Sequence, residues 1–152
     1  MEKPELELRS RLVAVALEWQ RRFGVAPRIT DAISEIDAAM MIGMTPDEYS
    51  LDCENRTAVT RGFDFTHDCC RYQIKANRPS GRRGSPVTLV RKANNYDWDK
   101  LIWILYDQGY GIQEAWEWTV QEYRRRFESV SRLSPDHMRQ GKRIFPPQPS
   151  AL

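Results

Sequence analysis

The sequence predicts an α/β fold, because helical and strand patterns occupy different parts of its 152 residues. Apolar residues recur every three or four positions in the first third, whereas 57–77 and 101–118 are rich in β-branched and aromatic residues. A hydrophobic content of 41% suffices for one core. We therefore expect one domain at 1–131 with its core at 30–131, followed by a short helix and a Pro-rich flexible tail at 132–152.

Three helices are predicted in the first third of the chain. A helix at 5–23 has an apolar stripe, which we expect to pack on the core; the stripe contains Leu8, Leu12, Val15, Trp19 and Phe23. The second helix is capped by Thr30 and ends near Gly43. Thr45-Pro46-Asp47-Glu48 has the form of a capping box and opens a short third helix.

Strand patterns dominate the middle of the chain. The segment 57–77 predicts a β-hairpin, and the continuous apolar run 101–106 predicts a strand covered on both faces at the centre of a sheet. A neighbouring strand is expected at 112–118. Thr119, three residues before Glu122, then predicts the cap of a helix that extends to about Val130.

The hairpin brings polar side chains together. Successive strand residues alternate between faces, so Gln73 and Lys75 point one way while Ile74 points the other. If the turn lies at Asp68 and Cys69, the numbers of paired residues sum to 137, which places Asp64 opposite Gln73. A carboxylate, an amide and an ammonium group then share one face.

This combination suits a hard metal ion. Mg²⁺ or Mn²⁺ prefers oxygen ligands, and three are offered by the Asp64 carboxylate, the Gln73 side-chain carbonyl and the Ile74 backbone carbonyl. Lys75 would lie next to a scissile phosphate, where it orients water or stabilises developing negative charge. The expected reaction is phosphodiester hydrolysis.

The motif resembles that of the PD-(D/E)xK nuclease superfamily. Asp64, followed nine residues later by Gln73-Ile74-Lys75, is similar to the QxK branch, which includes Mrr-type restriction endonucleases and transposon endonuclease subunits. The resemblance covers about 33–118 and implies a restriction-endonuclease-like fold, with a four-stranded mixed sheet flanked by helices. It also implies a helical glutamate at the site, which we assign to Glu35. The chain departs from the motif at Phe63, where the family has proline, and glutamine removes one negative charge.

A basic segment follows the motif. No Asp or Glu occurs from 69 to 96, a range that holds seven Lys or Arg. Because phosphate contacts dominate affinity for DNA, we expect DNA as the partner. The expected nucleic-acid contacts are Arg78, Arg82, Arg83, Arg91 and Lys92.

Two alternative functions remain open, and the composition indicates the cellular compartment. The first alternative is a catalytically inactive nuclease fold that binds DNA or acts in assembly; the second is a helix-turn-helix regulator, although its recognition helix would be acidic. Cutting both strands with one site would require a homodimer or a larger nuclease complex. Three cysteines without a disulfide pattern, and no apolar run near the ~20 residues of a membrane span, favour a cytoplasmic protein without a membrane partner.

Overall fold

The computed structural model describes residues 3–56, 62–79 and 86–149. The chain contains both helices and a mixed sheet, in agreement with the predicted α/β class. In chain order they are α1 (Pro4–Phe23), α2 (Thr30–Met41), α3 (Pro46–Asn55), β1 (Phe65–His67), β2 (Cys70–Asn77), β3 (Lys100–Tyr106), β4 (Ile112–Thr119), α4 (Val120–Phe127), α5 (Pro135–Met138) and β5 (Lys142–Phe145).

The strands form one mixed sheet in the order β1-β2-β3-β4-β5. Strands β2 and β3 are parallel, and the other neighbouring pairs are antiparallel. The apolar run predicted at 101–106 forms most of β3, the middle strand. Leu101, Ile102, Trp103 and Ile104 are fully buried, as expected for a strand covered on both faces.

The prediction of a four-stranded sheet is wrong, because the sheet has five strands. The additional strand, β5, lies in the segment expected to be a flexible tail, and Phe145 pairs with Ala115 of β4. Its four residues are too few for alternation to reveal a strand, and the prolines that follow suggested a tail. The backbone groups on the edge of β4 that faces away from β3 provide the hydrogen-bond partners of β5, and the local sequence of 142–145 does not reveal this pairing.

Two apolar layers cover the sheet. On one face, helix α2 packs through Ile33 against Ile74 and Ile104, both buried. On the other face, α4 and α5 enclose aromatic side chains that include Trp103 and Trp118. Tyr72 and Ile74 thus enter the α2 layer, and the alternate residues of β2 face the other way.

Helix α1 packs through a face different from the predicted one. Val13 and Ala16 are its buried residues. The apolar stripe expected to cover the core is instead between 39% and 64% exposed over Leu8, Leu12, Val15, Trp19 and Phe23. The spacing correctly predicted a helix but not which side of it would be buried.

Helix caps follow the sequence at two of three predicted positions. Thr45 and Thr119 accept hydrogen bonds from the N–H groups of the third helical residue, Glu48 and Glu122. Thr30 is not a cap: it is the first residue of α2, and its hydroxyl is hydrogen-bonded to the Tyr110 hydroxyl at 3.1 Å. No helix in the described part of the chain is long and apolar enough to cross a membrane.

Candidate active site

The hairpin register agrees with the prediction. Asp68 and Cys69 form a two-residue turn with φ of 49° and 60°, the left-handed conformation that matches the twist of the flanking strands. Phe65 pairs with Tyr72, so the numbers of paired residues sum to 137. The paired ladder begins at Phe65. Asp64 precedes it and donates its N–H to the Tyr72 carbonyl, so the backbone pairing of Asp64 with Gln73 that we predicted is not part of the ladder.

Asp64 and Gln73 are in direct contact. The Asp64 backbone N–H donates to the Tyr72 carbonyl at 2.7 Å. Its side-chain Oδ2 accepts hydrogen bonds from Gln73 Nε2 at 3.1 Å and from the Ile74 N–H at 2.7 Å. Because Gln73 directs its amide nitrogen at Asp64, its carbonyl oxygen points elsewhere and is available to a second partner.

The Ile74 carbonyl points toward the same edge of β2. In a strand the N–H and C=O of one residue point to the same side, and residues two apart share that side. The Tyr72 carbonyl and the Ile74 N–H both bond Asp64, which fixes the direction. The Ile74 carbonyl therefore lies on the side of Asp64, beyond the start of β1.

Lys75 lies two residues after Gln73 on the same face of β2. Burial, followed by the Arg91 charge, lowers the pKa of Lys75, whereas Asp64 and Asp31 oppose that change. The ammonium group is thus within electrostatic range of Asp64. Its half-buried position also strengthens its interaction with an anion.

Glu35 of α2 is close to the hairpin carboxylate. Burial, followed by the Asp64 charge, raises the pKa of Glu35 to about 7. Burial also raises the pKa of Asp64, against the effects of the Ile74 N–H and the Lys75 charge. Two half-buried carboxylates that disfavour each other's ionisation are stabilised by a cation between them.

One cation already lies near Glu35. Arg56 Nη1 is 3.6 Å from Glu35 Oε2, and Arg56 Nε donates to Asp52 at 3.2 Å. Sequence analysis did not identify Arg56, because it directly follows α3 and belongs to no motif. Its position 21 residues from Glu35 becomes significant only after α3 has folded beside α2.

The donor set fits a hard divalent ion. The candidate ligands are the Asp64 and Glu35 carboxylates, the Gln73 amide oxygen and the Ile74 carbonyl, all of them oxygen donors. Within residues 3–56, 62–79 and 86–149, no three His, Cys, Asp or Glu side chains are grouped so that they could hold a metal ion. A metal at this site would depend on the amide and the backbone carbonyl as well as on the two acids.

The approach to Asp64 requires a glycine. Gly62 has φ of 88°, and a Cβ at this position would be 2.7 Å from Asp97 Cβ. Any side chain would therefore collide with the 95–97 segment and strain the backbone. Gly62 allows the chain to turn into Asp64 beside that segment.

A basic cleft of about 590 Å³ opens beside Lys75. Arg28, Arg78 and Arg91 line it, together with Asp31 at the start of α2. Arg28 was missed by sequence analysis, because it is an isolated charge between two helices. The cleft reaches the candidate site through Lys75, whereas Asp64 and Gln73 do not line it.

The predicted nucleic-acid contacts differ in their surroundings. Arg91 is exposed, and its Nη2 atom lies 3.8 Å from Asp31 Oδ2. Arg78 donates to the Gln108 carbonyl and to Gln20 Oε1, both at 2.8 Å. Lys92 donates to the Glu128 and Val130 carbonyls at 3.0 Å and so caps the end of α4. Arg82 and Arg83 lie outside the described residues.

Helix α3, the recognition helix of the helix-turn-helix alternative, packs against the hairpin. Asp52 Oδ1 accepts a hydrogen bond from the Thr66 N–H at 3.3 Å. The first turn of α3 carries Asp47 and Glu48, and no basic residue occurs in its last turn. An acidic helix of this kind repels phosphates.

Comparisons with known proteins add no further identification. No family model matches the chain, and no curated protein matches it. We therefore infer the function from the contacts of the hairpin, from helix α2 and from the basic cleft.

Proposed function

We propose that the protein is a metal-dependent DNA endonuclease of the PD-(D/E)xK type, QxK branch, with a restriction-endonuclease-like core. The observation that carries the proposal is the side-chain hydrogen bond from Gln73 Nε2 to Asp64 Oδ2 at 3.1 Å. Two further observations support it: Lys75 lies on the same face of β2 as Gln73, and the Asp64 charge acts on the pKa values of both Lys75 and Glu35.

Each residue has a defined role in this proposal. Asp64, Gln73 and the Ile74 carbonyl would hold Mg²⁺ or Mn²⁺, and Glu35 would complete the ligand set. When bound, such an ion would supply Lewis acidity toward a phosphoryl oxygen and would lower the pKa of a water molecule. Lys75 orients the attacking water and neutralises the negative charge that develops on the phosphate.

The cleft supplies the proposed contacts to the DNA backbone. Arg28 and Arg91 are both exposed and line the cleft beside Lys75. We assign phosphate contacts to these two residues, whereas Arg78 and Lys92 are engaged within the protein. Replacing Arg28 or Arg91 with Ala should reduce the salt dependence of DNA binding by about one counterion each.

The experiment is cleavage of DNA by the purified protein with Mg²⁺ or Mn²⁺. Asp64→Ala and Lys75→Ala should each reduce the rate by roughly 100-fold or more, since each removes a group that acts in the transition state. Asp47→Ala and Lys142→Ala are matched controls, because both residues are exposed and neither belongs to the proposed site. Absence of cleavage by the wild-type protein, or cleavage that survives both substitutions, rejects the proposed mechanism.

A second readout does not depend on activity. Calorimetric titration with Mn²⁺ should show one site in the wild-type protein, and Asp64→Ala should abolish it. Glu35→Gln should weaken it, because one charged ligand becomes neutral. Unchanged Mn²⁺ binding in Asp64→Ala would place the ion elsewhere.

A catalytically inactive DNA-binding or assembly subunit is the second candidate. The observation that favours it is Arg56, whose guanidinium lies beside Glu35 and already offsets part of the negative charge. Gln73 lowers that charge further. Metal binding and DNA binding without cleavage would support this candidate.

The three cysteines are all unpaired, which supports a cytoplasmic setting for either function.

A further inference from the structure

Helix α1 carries an apolar surface that the fold does not use. The stripe consists of Leu8, Leu12, Val15, Trp19 and Phe23, which are 39–64% exposed. At 100° per residue these five side chains fall within one narrow face of the helix. Trp19 and Phe23 also stack on each other, with ring centroids 4.7 Å apart. A continuous exposed surface of this size is typical of an interaction site.

The spacing of the stripe is symmetric under reversal. Residue numbers 8 and 23 sum to 31, as do 12 and 19, and Val15 lies next to the midpoint. Two copies of α1 packed antiparallel would therefore place Leu8 against Phe23 of the other copy and Leu12 against Trp19. The two Val15 side chains would meet at the two-fold axis, as an isologous interface requires.

The charges that border the stripe have the same symmetry. Arg11 and Glu18 flank it on the side away from the core and are both exposed, and Glu18 Oε1 also lies 3.1 Å from Arg22 Nη2 of its own helix. In the antiparallel register Arg11 lies within about 3 Å, measured along the axis, of Glu18 in the second copy. Arg22 and Glu7 are related in the same way. The antiparallel dimer would therefore contain two Arg11–Glu18 pairs and two Arg22–Glu7 pairs, related by the two-fold axis.

We propose that this stripe is the dimer interface of the protein, formed by antiparallel pairing of α1 with α1 of a second copy. Complementary charges favour the second copy over an unrelated partner, because the stripe and its borders complement themselves. One helix per copy makes a small interface, so a micromolar dissociation constant is expected. A dimer would also carry two copies of the hairpin site, although the pairing does not depend on the chemistry of that site.

The first test is sedimentation equilibrium of the full chain across the micromolar range. The wild-type protein should show a monomer–dimer equilibrium, and Trp19→Lys should raise the dissociation constant by at least about tenfold. Leu89→Lys is the control, because Leu89 is 54% exposed and lies outside α1. A wild-type protein that stays monomeric, or a Leu89→Lys variant that dissociates as readily as Trp19→Lys, overturns the proposal.

Charge exchange tests the pairing independently of the apolar residues. Arg11→Glu and Glu18→Arg should each weaken the dimer by several-fold, roughly 2- to 5-fold, because like charges then face each other. The double variant should restore the wild-type dissociation constant. Failure of the double variant to restore it would exclude the antiparallel arrangement.

A crosslink tests the register. With the exposed Cys53 and Cys69 replaced by Ser, Val15→Cys should form a disulfide-linked dimer on oxidation. Leu8→Cys should not, because the two copies of residue 8 would be about 22 Å apart along the axis. A crosslink through both variants would indicate parallel helices, and a crosslink through Leu8→Cys alone or through neither variant would exclude the antiparallel register; each of these outcomes would overturn the proposal.

Discussion

Two carboxylates on the same helix have opposite surroundings. Asp37 accepts two hydrogen bonds from Arg9, at 3.0 and 2.8 Å, and one from the Tyr106 hydroxyl at 2.6 Å. Glu35, two residues earlier on α2, has one guanidinium at 3.6 Å and the Asp64 charge nearby. Both side chains are largely removed from water, at 10% and 24% exposure.

This difference indicates that Asp37 has a structural role, whereas Glu35 can bind a cation or a proton. A buried carboxylate with complete hydrogen bonding fixes its neighbours, and Asp37 joins α1, α2 and β3 in this way. A buried carboxylate with few partners retains the capacity to bind a cation or a proton. Asp37 therefore holds α2 in place, and Glu35 presents an incompletely neutralised charge to the hairpin.

The largest effect is expected from Asp37→Ala. The substitution leaves the Arg9 guanidinium half-buried without its carboxylate partner, so the free energy of unfolding should fall by about 3 kcal/mol. Urea denaturation measures this change. Asp47→Ala, on the exposed start of α3, is the matched control and should change stability by less than about 0.5 kcal/mol. Equal losses in the two variants would show that the network does not hold α1 to α2.

Glu35→Gln, in contrast to Asp37→Ala, should increase the free energy of unfolding when metal is removed by a chelator. The pKa of Glu35 is about 7 in the folded protein against an ordinary 4.5, so the folded state binds its proton more tightly. The stability that this proton contributes is complete below pH 4.5 and is lost as the pH rises through 7. The neutral variant avoids this loss and should be more stable by about 1–2 kcal/mol above pH 7.

Denaturation series at several pH values check this prediction. The difference between Glu35→Gln and the wild-type protein should be largest above pH 7 and should shrink toward pH 4.5. Adding Mg²⁺ should stabilise the wild-type protein more than the variant, because the ion binds the ionised carboxylate. A difference that does not vary with pH would mean that Glu35 titrates normally.

The hairpin and its residues were predictable from the sequence because local rules determine them. Two turn residues fix the register of two short strands, and this register brings Asp64, which precedes β1, close enough to Gln73 for their side chains to form a hydrogen bond. Glu35 was reached only through a resemblance, since nothing in the local pattern of α2 links it to the hairpin. Arg56 and Arg28 were not reached at all, because packing between helices brings them to the site.

The errors also have physical causes. The stripe on α1 predicted a helix, but apolar periodicity does not reveal which surface is covered by the same chain and which by another. Strand β5 was missed because its residues pair with residues of β4 that lie 25 to 30 positions earlier, as Phe145 does with Ala115. Non-local pairing of short strands is decided by tertiary context rather than by propensity.

Tyr106→Phe should cause the smallest decrease in the free energy of unfolding, because it changes a single contact of Asp37. It removes one hydrogen bond to Asp37 and leaves both bonds from Arg9, so the carboxylate keeps its charged partner. Stability should fall by about 1 kcal/mol, well below the loss in Asp37→Ala. Mg²⁺ should stabilise this variant as much as the wild-type protein, because Glu35 is unchanged. If Tyr106→Phe costs as much as Asp37→Ala, the hydroxyl rather than the guanidinium holds α2 on the sheet, and the contrast between the two acids no longer depends on charge pairing.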